Sequence, residues 1–283
     1  MLVRIDMPLS TGSPTTPINV GATDNRSVSA SFTAYIFRKP GLNWYVSANI
    51  NHYTTEYYNV GDVLKEYNDR GRLSESLLRI YDGASLSGLY TVRSAGIDPA
   101  TGNEMFFKKD GTLTYEWDIE DEILCGDTNP KATGSISSSL TWKGFSFSTS
   151  FSYRWGGYTQ LSTLLNKVEN ISESDLDYNQ DRRAFTSRWK QPGDIVKFKR
   201  INDLTGKTQM SSRFIEKENT IECTSINLGY RTSTARFLKY MKASSFSANF
   251  YMNDIFRIST IKEERGIDYP FERSFTISLG MGF

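Results

Sequence analysis

Few residues in the chain could support catalysis, and their types exclude most common chemistries. The chain has 283 residues and one histidine, His52, which lies between Asn51 and Tyr53. Zinc sites built on several histidines and the His-x-x-x-His protease motif are therefore absent. Cys–His or Ser–His–Asp catalysis would also need His52, and no partner for it is identifiable in the sequence. A contact with a neighbouring aromatic residue is the simpler interpretation, and the sequence predicts no enzyme.

An acidic cluster, formed by Asp118, Glu120, Asp121 and Glu122, is the second candidate. Carboxylates at this density could bind calcium, which prefers oxygen ligands. A calcium loop of the usual kind also needs a glycine at its sharp turn, and no loop of that kind follows the cluster. A solvated acidic edge is therefore the favoured interpretation, with a calcium site as the alternative.

Composition excludes further classes of function. The formal net charge is +1 and no long basic block lacks acidic neighbours, so no nucleic-acid partner is predicted. No run approaches the roughly 18 apolar residues of a transmembrane helix. The start lacks a basic segment followed by an apolar run, so no signal peptide is predicted. A mean hydropathy of −0.45 would by itself indicate a soluble chain. The aromatic fraction of 13%, with abundant serine and threonine, argues against that average.

The elements that must position these residues are strands, because apolar and polar residues alternate with a period of two. The alternation is clearest from Phe145 to Trp155, where mostly aromatic residues alternate with serines. The segments run from 6 to 11 residues, and the longer ones reach the length of about 9–11 residues that a tilted strand needs to cross a bilayer. Aromatic residues cluster toward the segment ends, as in the interfacial girdles of outer-membrane barrels. The segments span residues 28–36, 44–51, 135–142, 145–155, 225–230, 246–253 and 275–283.

Alternation alone fits a membrane barrel and also an antiparallel sandwich or soluble barrel, and the connections decide between them. Short connections at 37–43, 142–145 and 231–243 alternate strictly with long ones at 7–26, 53–133, 156–221 and 254–274. In an up-and-down barrel the short turns then share one rim and the long loops the other, as in outer-membrane barrels. The sequence therefore predicts an all-β fold, an antiparallel transmembrane β-barrel. The segments number eight, counting a stub at Leu2–Asp6, and eight strands could close a small barrel by themselves.

The long loops contain their own patterns. A hairpin with Asp110-Gly111 at its tip is predicted between Phe106 and Trp117, and Asp98–Gly102 has the residues of a turn. Two groups of apolar residues have helical spacing, and short amphipathic helices that cover the core of the loops are the favoured interpretation. These groups are Val60, Val63, Leu64 and Tyr67, and Leu161, Leu164, Leu165 and Val168.

The two cysteines, Cys125 and Cys223, each come just before a strand that enters from the long-loop rim. Two cysteines are too few for a disulfide-dense scaffold or a four-cysteine metal site. The long-loop rim would face an oxidising environment, in which disulfides form. A Cys125–Cys223 disulfide and two unpaired thiols stay open as alternatives.

Several motifs along the chain have a familiar order. They are MPLSTG at 7–12, YTVRSAGIDPATG at 90–102, GDTNPK at 126–131, RW at 188–189 with QPGD at 191–194, SSRF at 211–214, INLGY at 226–230 and YPFERSFT at 269–276. Together they resemble the C-terminal part of SusC/RagA-like TonB-dependent outer-membrane transporters of Bacteroidota-type bacteria. The shared order of the motifs is more specific than any one of them.

The resemblance implies a barrel of about 22 strands in the complete protein, of which residues 1–283 are the C-terminal portion. This portion would comprise the last eight or so strands, with long extracellular loops that contain short helices. The N-terminal plug and the TonB-interacting segment would be absent from this chain. The resemblance also implies that the final strand contains the outer-membrane assembly signal. The residues of that signal are Phe275, Ile277, Leu279, Met281 and Phe283.

The function implied by the resemblance is nutrient uptake across the outer membrane of a Gram-negative, Bacteroidota-like bacterium. The substrate would be an oligosaccharide or a peptide, a SusD-like lipoprotein would close the barrel, and the TonB complex would supply energy. Outer-membrane lipid would surround the strands, and no cofactor or covalent chemistry is implied. Two alternatives are a self-contained small outer-membrane β-barrel that serves as adhesin or scaffold, and a secreted carbohydrate-binding β-sandwich.

Overall fold

The computed structural model describes residues 2–6, 10, 12, 15–19, 21–60, 64–171, 173–201, 207–262 and 273–283. The chain forms two compact units. The first, named the loop unit here, comprises Met1–Arg26, Thr54–Asn129 and Gly157–Lys217. The second, named the strand unit, comprises Ser27–Tyr53, Pro130–Gly156 and Glu218–Phe283. Within the described ranges, no helix is both long enough and apolar enough to span a membrane.

Strands account for most of the regular structure. They are β1 (Leu2–Asp6), β2 (Thr15–Asn19), β3 (Ala22–Lys39), β4 (Leu42–Tyr58), β5 (Gly88–Ile97), β6 (Glu104–Phe107), β7 (Leu113–Thr114), β8 (Glu122–Asp127), β9 (Ala132–Trp142), β10 (Phe145–Gln160), β11 (Ile215–Thr232), β12 (Ser245–Ser259) and β13 (Phe275–Gly282). The helices are short. They are α1 (Leu64–Leu73), α2 (Ser162–Leu164), α3 (Arg183–Thr186) and α4 (Arg236–Met241), with a π-helical turn at Leu165–Glu169 and 3-10 turns at Ile119–Asp121, Glu173–Asp177 and Ser212–Phe214.

One antiparallel sheet contains all seven strands that the alternation predicted. Its order is β13-β12-β11-β10-β9-β4-β3, which follows the chain apart from the long insertion between β4 and β9. The predicted all-β antiparallel fold is confirmed. A sandwich would have divided these strands between two packed sheets. The sheet is not closed, and β3 and β13 are its two edges among the described strands.

The eighth strand of the prediction is not part of this sheet. Strand β1, the predicted stub, pairs instead with β2, with Leu2 opposite Asn19 and Asp6 opposite Thr15. The prediction was wrong because the sequence pattern did not reveal β2, the strand with which β1 pairs. A partner only a few residues away closes a short loop, which costs less conformational entropy than pairing with a distant edge.

Most strands of the sheet are longer than the alternating segments. Strands β3 and β11 have 18 residues each and β4 has 17, whereas β9 has 11 and β13 has 8. The additional residues of β4, from His52 to Tyr58, are largely polar or aromatic. Hydropathy alternation therefore marks only the apolar part of each strand, and the hydrogen-bonded ladder continues past it.

The long loops fold into a core of their own. A four-stranded sheet, ordered β7-β6-β5-β8, contains the predicted hairpin, in which the Lys108 N–H donates to the Thr112 carbonyl over 2.9 Å. Helix α2 and the π-helical turn after it confirm the second predicted helix, and Leu165 and Val168 are buried as expected. Helix α1 confirms the first, although Val60 precedes it and Val63 lies outside the described residues. The buried core consists of Leu77, Leu89, Leu165, Val168, Ala184, Phe198, Met210, Phe214 and Ile215.

Candidate functional site: two faces of the sheet and a braced loop unit

One face of the strand unit is a ladder of small polar side chains. The hydroxyl oxygens of Ser47 and Ser137 lie 2.7 Å apart across β4 and β9. One step along, Asn49 Nδ2 donates to Ser135 Oγ over 2.6 Å. Because neighbours across a sheet share a face, the pairing of Ser150 with Ser137 extends the ladder to β10. The ladder presents uncharged hydroxyl and amide groups, which suit a water-filled space or a polar solute.

The opposite face is apolar and uncovered. Phe147 and Trp44 both lie beside Leu140, the former from β10 and the latter from β4. Exposed apolar side chains recur along every strand of the sheet, which is far more than a soluble monomer normally leaves in water. They include Val28, Phe32, Ile36, Ile136, Trp142, Phe145, Leu228, Ile258, Ile277 and Leu279. This face requires an apolar medium or a covering partner.

Four of the five predicted assembly residues lie on β13 at the edge of the sheet, and Phe283 directly follows it. Phe275, Ile277, Leu279 and Phe283 are all more than 60% exposed, and Met281 is 36% exposed. Strand β13 pairs with β12 from Met252↔Phe275 to Ser245↔Gly282. The alternation therefore places these side chains on one exposed apolar face. Their role as an assembly signal stays a prediction.

Two buried carboxylates and a largely buried arginine brace the loop unit. Arg213 lies before β11 and donates to Glu104 of β6 over 2.7 Å, and also to Glu169 over 3.1 Å. The buried hydroxyl of Ser211 donates to the other oxygen of Glu104 over 2.6 Å. Burial alone would lower the pKa of the Arg213 guanidinium. The hydrogen bonds and charges of the two carboxylates outweigh that effect, so the pKa is raised. The pairs connect the β5–β6 hairpin to residues 161–214.

The acidic cluster makes a second brace. Glu122 is buried and accepts from Arg79 Nη2 over 2.6 Å and from Arg72 Nε over 2.8 Å. Glu120 also pairs with Arg72, and Asp118 accepts from the Glu120 N–H. The predicted solvated edge is therefore wrong for Glu122, because two arginines distant in sequence compensate its burial. Within the described residues, no group of three His, Cys, Asp or Glu side chains is arranged to hold a metal ion.

Two of the sequence motifs contact each other directly. In the turn at Asp98–Gly102, the Asp98 carboxylate accepts from Thr101 and Tyr115 hydroxyls over 2.7 and 2.9 Å. Trp189 Nε1 donates to the Pro99 carbonyl over 2.9 Å. A Cβ at Gly102 would lie only 2.4 Å from the Trp189 ring, so this position requires glycine. The turn therefore packs against the RW-QPGD segment through Trp189. No local pattern in the sequence indicated this contact.

The loop unit contains a cavity of about 700 Å³. Trp117, Arg72, Thr91 and Met210 are among its lining residues. The volume is typical of small-molecule sites, and a mixture of one aromatic ring with polar groups is common in such sites. The Trp117 indole is fixed because its N–H donates to the Met210 carbonyl over 2.9 Å. The cavity is large enough to hold a polar solute a few residues long.

The remaining candidates from the sequence are His52 and the two cysteines, and the structure describes all three. His52 Nδ1 lies 2.7 Å from the Lys131 carbonyl, so the predicted aromatic contact is replaced by a hydrogen bond that this nitrogen donates. Cys125 lies within β8 and Cys223 within β11, rather than before a strand. Burial raises the pKa of the Cys125 thiol. A Cys125–Cys223 disulfide and two unpaired thiols both stay open as alternatives.

Comparison with known proteins identifies the fold. No protein-family model matches the chain, and no curated protein matches it. Solved structures do. The structure of the RagAB peptide importer in the open-open state aligns with 100% of this chain at 18% identity and a TM-score of 0.75. The chain shares its fold with part of that importer. A second structure, of the RagAB peptide transporter, aligns with 92% of the chain at 19% identity and a TM-score of 0.71.

The similarity covers only part of the solved structures. This chain corresponds to 31% of the length of the first and 28% of the second. The closed-closed state of the RagAB peptide importer gives the same fold, with a TM-score of 0.67 over 91% of this chain. The resemblance expected from the sequence motifs is thereby confirmed at the level of the fold.

Proposed function

We propose that this chain is the C-terminal portion of the barrel of a TonB-dependent outer-membrane transporter. The transporter would import peptides or oligosaccharides together with a SusD-like lipoprotein. The observation that supports this most strongly is the alignment of the entire chain with 31% of the RagAB peptide importer, at a TM-score of 0.75. Coverage of less than a third of that structure supports a portion of a larger barrel.

The two faces of the sheet support a place in a membrane. The apolar face, with Val28 and Leu279 at least 70% exposed, suits contact with lipid. The serine and asparagine ladder would face the interior, which in large barrels is polar and hydrated. A wide barrel lined with short uncharged side chains leaves room for a polar solute and avoids strong binding that would retard its release.

The open edges of the sheet support a larger barrel. In a bilayer, unpaired backbone groups of β3 and β13 would cost several kcal/mol each, because lipid offers no hydrogen bonds. We therefore expect both edges to pair with strands that belong to the rest of the transporter. Consequently, cells that produce residues 1–283 alone should not take up the substrate, and uptake by such cells would contradict the proposal.

The braced loop unit would take part in substrate binding. The ion pairs of Arg213 and Glu122 hold long loops in one conformation, so less entropy is lost when a solute binds. No covalent bond of the substrate would be formed or broken. The direction of transport would come from TonB, acting through a part of the transporter outside this chain. Of the two substrate classes we favour peptides, because the solved structures of similar fold are peptide transporters.

Uptake measurements test the proposal. Cells with and without the gene would be given a fluorescent peptide mixture in one assay and labelled oligosaccharides in another. We expect the deletion to abolish uptake of one class, and restoration of the gene to recover it in a TonB-dependent manner. Unchanged uptake of both classes, or recovery in cells that lack TonB, would refute the proposal. Loss of oligosaccharide uptake alone would reverse our preference for peptides.

A further inference from the structure

The three short connections of the sheet contain a concentration of positive charge. Residues 36–43, 141–145 and 230–245 include seven lysines and arginines and no aspartate or glutamate. Because the whole chain has a formal net charge of +1, the remainder is net acidic by six charges. Every one of the seven side chains is exposed. They are Arg38, Lys39, Lys143, Arg231, Arg236, Lys239 and Lys242, and together they are named the basic rim.

Hydrogen bonds connect the three turns into one continuous edge. The Lys143 N–H donates to the Gly41 carbonyl over 3.0 Å, which joins the second turn to the first. The Arg231 N–H donates to the Gly144 carbonyl over 2.8 Å, which joins the third turn to the second. Strand order requires this adjacency, since β4 lies beside β9 and β10 lies beside β11. The basic rim is therefore a property of the sheet and not three unrelated loops.

The positive charges of the basic rim are not neutralised within the described structure. The salt bridges of the described residues all lie elsewhere, for example at Arg257 with Glu218 and at Arg26 with Asp24. Two rim cations lie over aromatic rings instead. Arg38 lies 5.4 Å from the centre of the Tyr35 ring, and Lys143 Nζ lies 5.5 Å from the centre of the Trp142 ring. The ammonium and guanidinium groups thus remain available to an external anion.

An apolar groove begins directly beside the basic rim on the exposed apolar face. It has a volume of about 470 Å³, and its lining is almost entirely hydrophobic. Phe145 packs against Tyr230 with ring centroids 4.6 Å apart, and against Trp142 at 6.5 Å. The groove continues away from the turns past Leu228 and Phe250. The groove has aromatic residues at the end beside the cations and aliphatic residues along its floor. This combination matches a molecule with an anionic head and an apolar tail.

We propose that the basic rim and this groove together bind an anionic glycerophospholipid of the leaflet that contacts the short turns. The phosphate group would lie at the basic rim beside Lys143, whose ammonium lies over the Trp142 ring at the end of the groove, and one acyl chain would lie in the groove. Two features select this occupant: charge opposite to that of the rim, and an aliphatic chain of matching chemistry for the groove. The inference rests on the proposed membrane location, since only there does the face meet lipid.

The test uses the transporter purified in a non-ionic detergent. Phosphatidylglycerol and phosphatidylcholine are added in equal amounts, and native mass spectrometry measures how much of each stays bound. Inorganic phosphate is the third probe. We expect retention of phosphatidylglycerol about tenfold above that of phosphatidylcholine, falling as salt rises, because each cation near a lipid headgroup attracts it electrostatically. Inorganic phosphate should not compete at equal concentration, because it lacks the acyl chain.

Matched variants separate the rim from general charge effects. The triple variant Lys39→Gln, Lys143→Gln, Arg231→Gln should lose the preference for phosphatidylglycerol. The control Lys65→Gln, Lys108→Gln, Lys109→Gln removes the same charge from exposed positions of the loop unit and should keep the preference. Ala248→Phe, which fills the groove beside Tyr230, should reduce retention of the lipid without removing a charge.

Two outcomes would overturn the inference. Equal binding of the two lipids by the wild type is one. A groove that is buried against a second copy of the protein and binds neither lipid is the other. Both are distinguishable from failure of the proposed function, because membrane fractionation and uptake are measured independently of lipid preference. A wild-type protein that inserts and transports but does not discriminate between the lipids would refute only this inference.

Discussion

The guanidinium of Arg213 and the carboxylate of Glu104 meet at 2.7 Å, although more than 100 positions separate them in the chain. Neither side chain has much access to water, with 12% and 3% of its surface exposed. Removal of one partner leaves an uncompensated charge inside the loop unit, which typically costs 3–5 kcal/mol. This pair therefore makes the order of the long loops sensitive to a single substitution.

We predict that Arg213→Leu destabilises the loop unit by about 3–5 kcal/mol, because Glu104 and Glu169 lose their shared cation. Hydrogen exchange of the β5–β6 hairpin should accelerate strongly in this variant. The matched control is Arg26→Gln, which removes an arginine from an exposed pair with Asp24 and should leave exchange unchanged. Equal protection of the hairpin in both variants would contradict the structural role of Arg213.

The apolar face gives a second prediction. Ile136 lies near the middle of β9 on that face and is 39% exposed. If the face meets lipid, Ile136→Arg should lower the free energy of unfolding by about 2–4 kcal/mol, the cost of a charge near the bilayer midplane. Ser139→Arg, on the polar face of the same strand, should cost much less. The measurement is guanidinium denaturation of the transporter in lipid vesicles, and equal costs would refute the assignment of the two faces.

A close approach of β4 and β9 at Gly134 gives a third prediction. A Cβ there would lie 2.0 Å from the Asn49 carbonyl oxygen and 2.6 Å from the Tyr153 hydroxyl, which itself donates to that carbonyl. Gly134→Ala should therefore destabilise the sheet by about 1–3 kcal/mol through overpacking. Gly71→Ala is the control, since Gly71 lies in α1 and alanine there should stabilise the helix by up to about 1 kcal/mol. The same vesicle denaturation assay measures both, and a neutral Gly134→Ala would contradict the register of β4 and β9.

We predict that the stability of the turn at Asp98 depends on pH in the acidic range. Hydrogen bonds from the Thr101 hydroxyl, the Ala100 N–H and the Tyr115 hydroxyl lower the pKa of the Asp98 carboxyl. A lowered pKa in the folded state means that this stabilisation is fully present above the pKa of the unfolded chain. It is lost as the pH falls through the lowered folded value.

The Asp98 carboxyl can be titrated by NMR in the wild type and in Thr101→Val, which removes the largest cause of the shift. We expect the pKa of Asp98 to rise toward its ordinary value in the variant, and the turn to loosen at a higher pH than in the wild type. Thr112→Val removes an equivalent bond from Asp110 in the neighbouring hairpin and serves as the control. An Asp98 pKa that responds equally to both variants would show that these hydrogen bonds do not set it.

The sequence predicted the strand unit well because alternation is a local property. Ser146 to Arg154 and their apolar neighbours indicate a strand with two unlike faces, whatever the rest of the chain does. The tight turn at Lys143-Gly144 is similarly local, since both residues have positive φ angles of 45° and 90°. Strand number was less accessible, because the pairing of Leu2–Asp6 depends on which edge lies nearby.

The loop unit was predictable only in fragments. The Asp110-Gly111 hairpin and the helix around Leu165 have local patterns, and both were found. The burial of Glu122 has no such pattern. Its acidic neighbours suggest solvent, and only the distant Arg79 and Arg72 make burial tolerable. Contacts of this kind, like that of Trp189 with Gly102, join residues far apart in the chain and are found only from the structure.

Fractionation of cells that express the natural gene tests the central claim most directly. Membranes would be separated on a density gradient and then washed with carbonate, and the chain would be detected by an antibody to the loop unit. We predict that the chain sediments with the outer membrane, resists the wash, and is released only by detergent, because its exposed apolar face lies in lipid. Recovery of the chain as a monomer in buffer without detergent would contradict the claim.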